Sequence, residues 1–211
     1  MSLPLFSDLL GITSTSEKKN EVWDIVEYAK KLLGMSDANL YRGYNLDLIS
    51  LSDKVLSNKY LFLRKLVDIC IRLEIQPNWL MGIMWYESRL NPAAKNPKGS
   101  ATGLIQFVES TANFLGTTTS KLRTMTNVQQ LDYVYRYFLP YKGKLHTLYD
   151  CYAVVFFPLL IGKPENWIIK TSKLSASYIA KSNPAIKDLN KDGVLSVSEF
   201  RKYVDSIIPL L

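Results

Sequence analysis

Residues 77–92 read Pro77-Asn-Trp-Leu-Met-Gly-Ile-Met-Trp-Tyr-Glu-Ser-Arg-Leu-Asn-Pro92. Pro77 suits the first turn of a helix, where its missing N–H has no intrahelical partner to lose. Asn91-Pro92 ends that helix, because the residue before a proline disfavours the α region. The spacing therefore predicts a helix over 77–90. Leu80, Met84 and Glu87 fall at i, i+4, i+7, and Trp79, Ile83 and Glu87 at i, i+4, i+8. Both rows mark the buried stripe of an amphipathic helix, and both run into a carboxylate. Burying that charge is costly. A site that disfavours the anion raises the carboxyl pKa, which is what a general acid working near neutral pH needs. The plainer alternative is a Glu87 that is solvated at a helix end or paired with Arg89 or Lys95.

Outward from this helix the periodicity stays helical. Ser14 and Glu17 form a capping box ahead of Val22, Val26, Ala29 and Leu33, with Gly34 placed to end the helix. Residues 35–53 read as a polar connector, and a long apolar helix is predicted at about 54–73. Residues 92–103 are a loop by composition. Helical pattern resumes at 104–115, 127–139 and 146–161. Clean strand alternation and internal repeats are lacking. The chain thus divides into an N-terminal helical extension (1–53), a mostly α domain (54–170) and a C-terminal segment (171–211).

Composition narrows the function classes. The 211 residues suit one compact domain with small appendages. No apolar run approaches the roughly 20 residues needed to span a bilayer. The start, Met1 to Leu10, lacks a basic region, and Pro4 and Asp8 interrupt its apolar stretch, so it does not read as a secretory signal. Lys and Arg outnumber Asp and Glu by 26 to 19, for a net charge of +7. The basic residues are scattered, without the dense run of a nucleic-acid arm, so nucleic acid is not the expected partner. An anionic polymer such as a cell wall fits better. His146 is the single histidine, which argues against histidine-metal clusters and Ser-His or Cys-His machinery. Cys70 and Cys151 lie in apolar segments and read as buried free thiols.

The motif as a whole carries a resemblance. Glu87-Ser88-Arg89-Leu90-Asn91-Pro92, a loop with Ala93-Ala94 and Gly99, then Thr102-Gly103-Leu104-Ile105-Gln106-Phe107 and Thr111-Ala112, resembles the signature of the soluble lytic transglycosylases. Asn127 to Phe138 resembles that family's next helix. The family belongs to the goose-type lysozyme superfamily. The resemblance implies a mostly α, lysozyme-like fold whose cleft binds alternating N-acetylglucosamine and N-acetylmuramic acid. By position, Glu87 would protonate the glycosidic oxygen, Ser88 would help orient it, and Gln106 with Phe107 would line the sugar cleft. The family's later Ala-Tyr-Asn-Ala-Gly element, whose tyrosine contacts the glutamate, is absent in that form. Within Tyr149-Asp-Cys-Tyr-Ala-Val-Val-Phe-Phe-Pro158, Tyr149 and Tyr152 are both candidates.

Ordinary glycosidases place two carboxylates across the scissile bond. No second Asp or Glu lies between Glu87 and Gln106; Glu109, Asp132 and Asp150 follow later. One carboxyl suffices when the substrate supplies its own nucleophile, and the resemblance implies attack by the muramic acid C6 hydroxyl to give a 1,6-anhydro product. Three rivals stand beside this: a hydrolytic muramidase on the same fold, an inactive wall-binding or phage structural subunit, and a calcium sensor. Action on the bacterial wall without a signal fits a phage lysin, a virion-associated lysin or an injected effector. A monomer is expected. Most of the 13 Tyr, 8 Phe and 4 Trp belong to the core, and some could stack on sugars.

A second motif lies in the C-terminal segment. Residues 188–199, Asp-Leu-Asn-Lys-Asp-Gly-Val-Leu-Ser-Val-Ser-Glu, fit the EF-hand calcium loop without a mismatch. Asp188, Asn190, Asp192 and Glu199 offer side-chain oxygens, Val194 its carbonyl, and Ser196 itself or a water. Gly193 permits the sharp turn. An exit helix is predicted at 200–208, while Pro184 makes a normal entering helix doubtful. Calcium is expected as a structural ion, with no cofactor for catalysis.

Overall fold

The computed structural model describes residues 40–97 and 99–208. The helix expected after the Ser14–Glu17 capping box lies outside them. The described residues are mostly helical. A two-residue hairpin, β1 (Leu40–Tyr41) with β2 (Tyr44–Asn45), leads into 3-10 turns at Leu46–Leu48 and Ser52–Lys54. Eight helices follow among these residues: α1 (Lys59–Leu73), α2 (Pro77–Ser88), α3 (Glu109–Phe114), α4 (Thr119–Thr124), α5 (Asn127–Phe138), α6 (Leu148–Phe156), α7 (Ala176–Ser182) and α8 (Val197–Ile207).

The frame is α1 packed on α5 and on α2, with α6 and α8 closing the far side of α2. Along α1, Phe62, Leu63, Leu66, Val67, Ile69, Cys70 and Leu73 are buried. Removing each large apolar side chain from water contributes about 1.5–3 kcal/mol. Surface ion pairs such as Lys65–Asp132 (2.8 Å) add little beside that. α2 is enclosed on nearly all sides, since Leu80, Met81, Gly82, Ile83, Met84 and Ser88 are all buried. It is the central helix, and the amphipathic stripe read from the sequence understates its burial.

Several boundaries differ from expectation, each for a local reason. Within the described part of the connector expected through residue 53, the hairpin and 3-10 turns bury Leu46 and Ile49. α1 starts at Lys59 because Asn58 is left-handed (φ 52°). α2 stops at Ser88, two residues early, because Arg89 and Leu90 are both left-handed (φ 56° and 60°). The helix expected at 104–115 begins only at Glu109. Before it, Thr102 pairs with Phe107 in an antiparallel bridge, and Gly103 and Gln106 have positive φ. The Thr118 hydroxyl accepts the Lys121 N–H and starts α4, which the periodicity did not signal. α6 ends where Phe157, the residue before Pro158, turns extended. α8 begins at Val197, not 200, because Ser196 and Glu199 form a reciprocal capping box. Ahead of the 188–199 loop, α7 ends before Asn183-Pro184.

Candidate active site

Glu87 lies in the last turn of α2, on the side facing α6. The phenolic hydroxyl of Tyr152, from the middle of α6, donates to Glu87 Oε1 at 3.1 Å. Burial pushes the Glu87 carboxyl from 4.5 up to about 7, and the Tyr152 hydrogen bond opposes part of that rise. Tyr152 itself is held far above the usual phenol range, first by burial and then by the facing carboxylate. A donor that does not ionise is thus fixed against one oxygen of an acid that titrates near neutrality. Around this pair the rings close in. Tyr86 meets Tyr152 edge-on at 6.2 Å, and Phe156 and Phe200 stack on it at 6.2 and 6.0 Å.

The end of α2 is locked to the 94–107 segment. The Ser88 hydroxyl sits between the Met84 and Leu104 carbonyls at 3.0 Å each, so it ties the acid's helix to the next turn and does not touch the carboxylate. Leu90, folded back by its left-handed backbone, donates to the Met84 carbonyl at 3.4 Å. The segment itself is ordered by single bridges, Lys95 with Thr102 and Thr102 with Phe107. The buried Thr102 hydroxyl donates to the Ala94 carbonyl at 2.7 Å. Gln106 remains partly exposed in this turn, its Nε2 donating to the Gly103 carbonyl at 3.1 Å.

Gln130, fully buried on α5, fixes the turn from behind. Its Oε1 accepts the Leu104 N–H (2.9 Å), and its Nε2 donates to the carbonyls of Pro92 (2.6 Å) and Leu122 (2.7 Å). Gly103 lies directly against Gln130 Oε1 with φ 75°, so a side chain there would meet both a clash and a strained backbone.

Two residues expected at the site are elsewhere. Phe107 is 2% exposed and packs against Tyr137 at 6.1 Å, so it belongs to the core and offers no surface to a sugar. Tyr149 points to α8, where its hydroxyl donates to Asp205 at 2.7 Å. Of the two candidate tyrosines, Tyr152 is the one on Glu87. Neither Arg89 nor Lys95 forms an ion pair with Glu87 among the described residues; the Arg89 guanidinium lies 5.0 Å over the Trp85 ring.

The later carboxylates are occupied with structure. Glu109 accepts hydrogen bonds from the Thr119 N–H and hydroxyl at the start of α4. Asp132 pairs with Lys65 on the surface. Asp150 caps α6 through Thr147 and holds the Gly162 N–H. None of the three is hydrogen-bonded to Glu87 or Tyr152 among the described residues. Tyr86, Tyr203 and Gln130 are site residues that sequence reasoning missed. Only Tyr86, adjacent to Glu87, carried a signal.

The 188–199 loop folds as a chain of side-chain-capped turns. Asp188 accepts from the N–H groups of Asp192 (3.2 Å) and Gly193 (2.8 Å), Asn190 from Asp192 (3.2 Å), and Asp192 from Val194 (3.0 Å). Leu195 is buried, and its carbonyl accepts the Ile169 N–H at 2.7 Å, while Val197 donates to the Trp167 carbonyl at 3.0 Å. The 167–169 segment, bridged to the loop at Ile168 and Ser196, thus takes the place against which a second such loop would pair. Glu199 turns its carboxylate onto the N–H groups of Leu189 and Ser196 and the Ser196 hydroxyl, at 2.7–2.8 Å. Burial opposes its ionisation, but these donors outweigh it and hold the carboxyl below its usual range. Among the described residues no three His, Cys, Asp or Glu side chains converge as a metal site.

Residues 71–132 match the family described as Transglycosylase SLT domain. The match runs from the end of α1 into α5 and contains Glu87, Ser88 and the 103–106 turn; Tyr152 and the 188–199 loop lie outside it. That domain is the lysozyme-like unit of lytic transglycosylases, which act on peptidoglycan, and the mostly helical architecture agrees with it. No curated protein and no solved structure matches the chain. No helix among the described residues is long and apolar enough to cross a membrane.

Proposed function

We propose that this chain cleaves the β-1,4 bond between N-acetylmuramic acid and N-acetylglucosamine in peptidoglycan, as a lytic transglycosylase with Glu87 as acid and base. The observation that carries the reading is a carboxyl group on a buried helix, pushed to about 7, with Tyr152 on one oxygen and, among the described residues, no second carboxylate engaging it. Protonated Glu87 gives its proton to the glycosidic oxygen as the C1–O bond breaks. The muramic acid C6 hydroxyl then attacks C1, and the Glu87 carboxylate takes the proton that hydroxyl loses. The ring closes as a 1,6-anhydro sugar, and the enzyme returns to its starting state with no water consumed. Tyr152 holds Oε1, which leaves Oε2 to carry the transferable proton.

The test is the rate at which purified sacculi are solubilised across pH. An acid with a pKa of about 7 is charged above that value and active below it, so kcat/KM falls as pH rises through about 7. A limb near 4.5 would show an ordinary solvated carboxylate and contradict the reading.

We further infer that the 188–199 loop takes one calcium ion with a structural role. The donor chemistry fits a hard divalent cation: Asp188, Asn190 and Asp192 are oxygen donors on a turn closed at Gly193, with carbonyls beside them. Glu199 fits once its carboxylate exchanges backbone N–H groups for the metal. When bound, the ion would hold the loop and the start of α8. Chelation therefore lowers the melting temperature, by the equivalent of about 2.7 kcal/mol at a hundredfold excess of free calcium over Kd. Asp188→Ala removes that dependence. Cleavage persists in chelator while α8 stays docked. Isothermal titration without heat of binding would reduce the motif to a turn.

A further inference from the structure

Helix α8 lies against α2 and α6 at once, at the level of the acid. On α2 the contact at Gly82 is made by Ile208, the residue that caps the end of α8, whose Cγ2 would stand 2.6 Å from an added Cβ. On α6, Phe200 stacks on Tyr152 and on Phe156, the latter at 5.5 Å. One turn further along α8 is Tyr203. Its ring tilts against Tyr152 at 6.4 Å and meets Tyr86 edge-on at 6.5 Å. Its hydroxyl is 2.9 Å from the Tyr86 hydroxyl, a bond that joins two segments 117 residues apart.

We propose that Tyr203 is a positioning residue of the active centre, holding Tyr152 from α8 in the orientation from which its hydroxyl reaches Glu87 Oε1. This rests on the reading of Glu87 as the acid. Tyr152 is boxed by Tyr86, Phe156, Phe200 and Tyr203, and two of these four come from the helix that leaves the 188–199 loop. The Tyr86–Tyr203 bond clamps two walls of the box together. Glu87 is faced by Tyr152 from α6, Tyr203 from α8 and Tyr86 on its own helix; among the described residues no lysine, arginine or further carboxylate pairs with it. Of the charged groups flanking Tyr203 on α8, Arg201 pairs with Glu165, Asp205 accepts from Tyr149, and Lys202 is exposed. Movement of Tyr203 therefore reaches Glu87 through Tyr152.

The sign follows. The Tyr152 hydrogen bond stabilises the Glu87 carboxylate. Tyr203→Phe keeps the ring but releases the clamp, so that bond weakens and the Glu87 pKa rises. We expect kcat on peptidoglycan to fall about three- to tenfold, the change that loss of one net hydrogen bond carries, with KM unaltered. The alkaline limb of the pH profile moves to higher pH, and so does the midpoint of the Glu87 carboxyl carbon followed by NMR titration. In a Tyr152→Phe background the same substitution adds nothing, because the two act in series. Tyr86→Phe, which removes the other half of the clamp, shifts the midpoint the same way and serves if Tyr203→Phe folds poorly. An unshifted midpoint in folded Tyr203→Phe overturns the proposal, whether kcat is kept or lost. The titration reads the hold on Glu87 without reference to cleavage. An active Glu87→Gln would therefore sink the acid assignment separately.

Discussion

Glu87→Gln abolishes glycan cleavage and leaves the fold intact. The amide keeps the shape and polarity of the side chain, and its NH2 or carbonyl can still meet the Tyr152 hydroxyl, so α2 and α6 stay packed as they are. What it loses is the transferable proton. A positioned general acid contributes about 10²–10⁴-fold. On the proposed mechanism the same group serves in both proton transfers, and among the described residues no other carboxylate is engaged with it, so the loss lies at or beyond the upper end of that range. Turbidity of purified sacculi reads the activity, and circular dichroism of the same sample reads the fold. A folded variant clearing sacculi at near wild-type rate would remove Glu87 from the mechanism. The substitution also removes a group that ionises only at a cost. The native state holds the Glu87 proton more tightly than the unfolded chain does, so this group makes the wild type less stable as pH rises from 4.5 towards about 7. The variant lacks that slope.

Gln130→Leu costs about 2–4 kcal/mol of stability. Leucine fills a similar volume, but the buried Leu104 N–H loses its partner, and the Pro92 and Leu122 carbonyls each lose one donor, Leu122 keeping the Met125 N–H. Each such loss costs about 1–3 kcal/mol, and neighbours that relax together sum to less than their separate values. Since domains are stable by only about 5–15 kcal/mol, this is a large share. Denaturant titration checks it through the midpoint at constant slope. Because Gln130 also backs the turn that carries Gln106, activity falls at temperatures where the variant is still folded. A loss under about 1 kcal/mol would mean that water satisfies all three groups, and that the turn does not depend on Gln130.

The partly enclosed place of Glu87 was legible because an apolar stripe runs into a glutamate, while its reading as the acid needed the resemblance as well as the spacing. Helix α2 was legible too, bounded by Pro77 and Pro92, although the sequence could not show that two left-handed residues would end it at Ser88. The 94–107 segment was hidden for a different reason. Its bridges are single pairs held by Thr102 and Gln130, and one-residue pairings leave no alternation to read. Phe107 was misjudged on the same account. Adjacency to Gln106 suggested a shared surface, yet Gln106 stands in a left-handed turn (φ 55°), and Phe107, paired with Thr102 just after it, is turned into the core.

Tyr152 could be narrowed only to a pair, since Tyr149 lies three residues before it on the same helix. Tertiary packing decides between them: α2 takes Tyr152, and α8 takes Tyr149 through Asp205. Tyr203 left no trace in the sequence. Its place depends on α8 docking over Gly82, a contact between residues more than a hundred positions apart. The 188–199 motif was complete in the sequence, but Ser196 and Glu199 also form the capping box of α8. The capping duty sets the start of α8 three residues earlier than the pattern suggested.

The most direct test of the central claim is mass spectrometry of the fragments that the wild-type protein releases from purified peptidoglycan. A lone acid/base with the substrate's own C6 hydroxyl as nucleophile predicts muropeptides ending in 1,6-anhydro-N-acetylmuramic acid, each lighter by one water than its reducing counterpart. Fragments bearing only free reducing ends would show that water attacks C1 and that a second group activates it. No glycan fragments at all from the folded protein would contradict the claim outright.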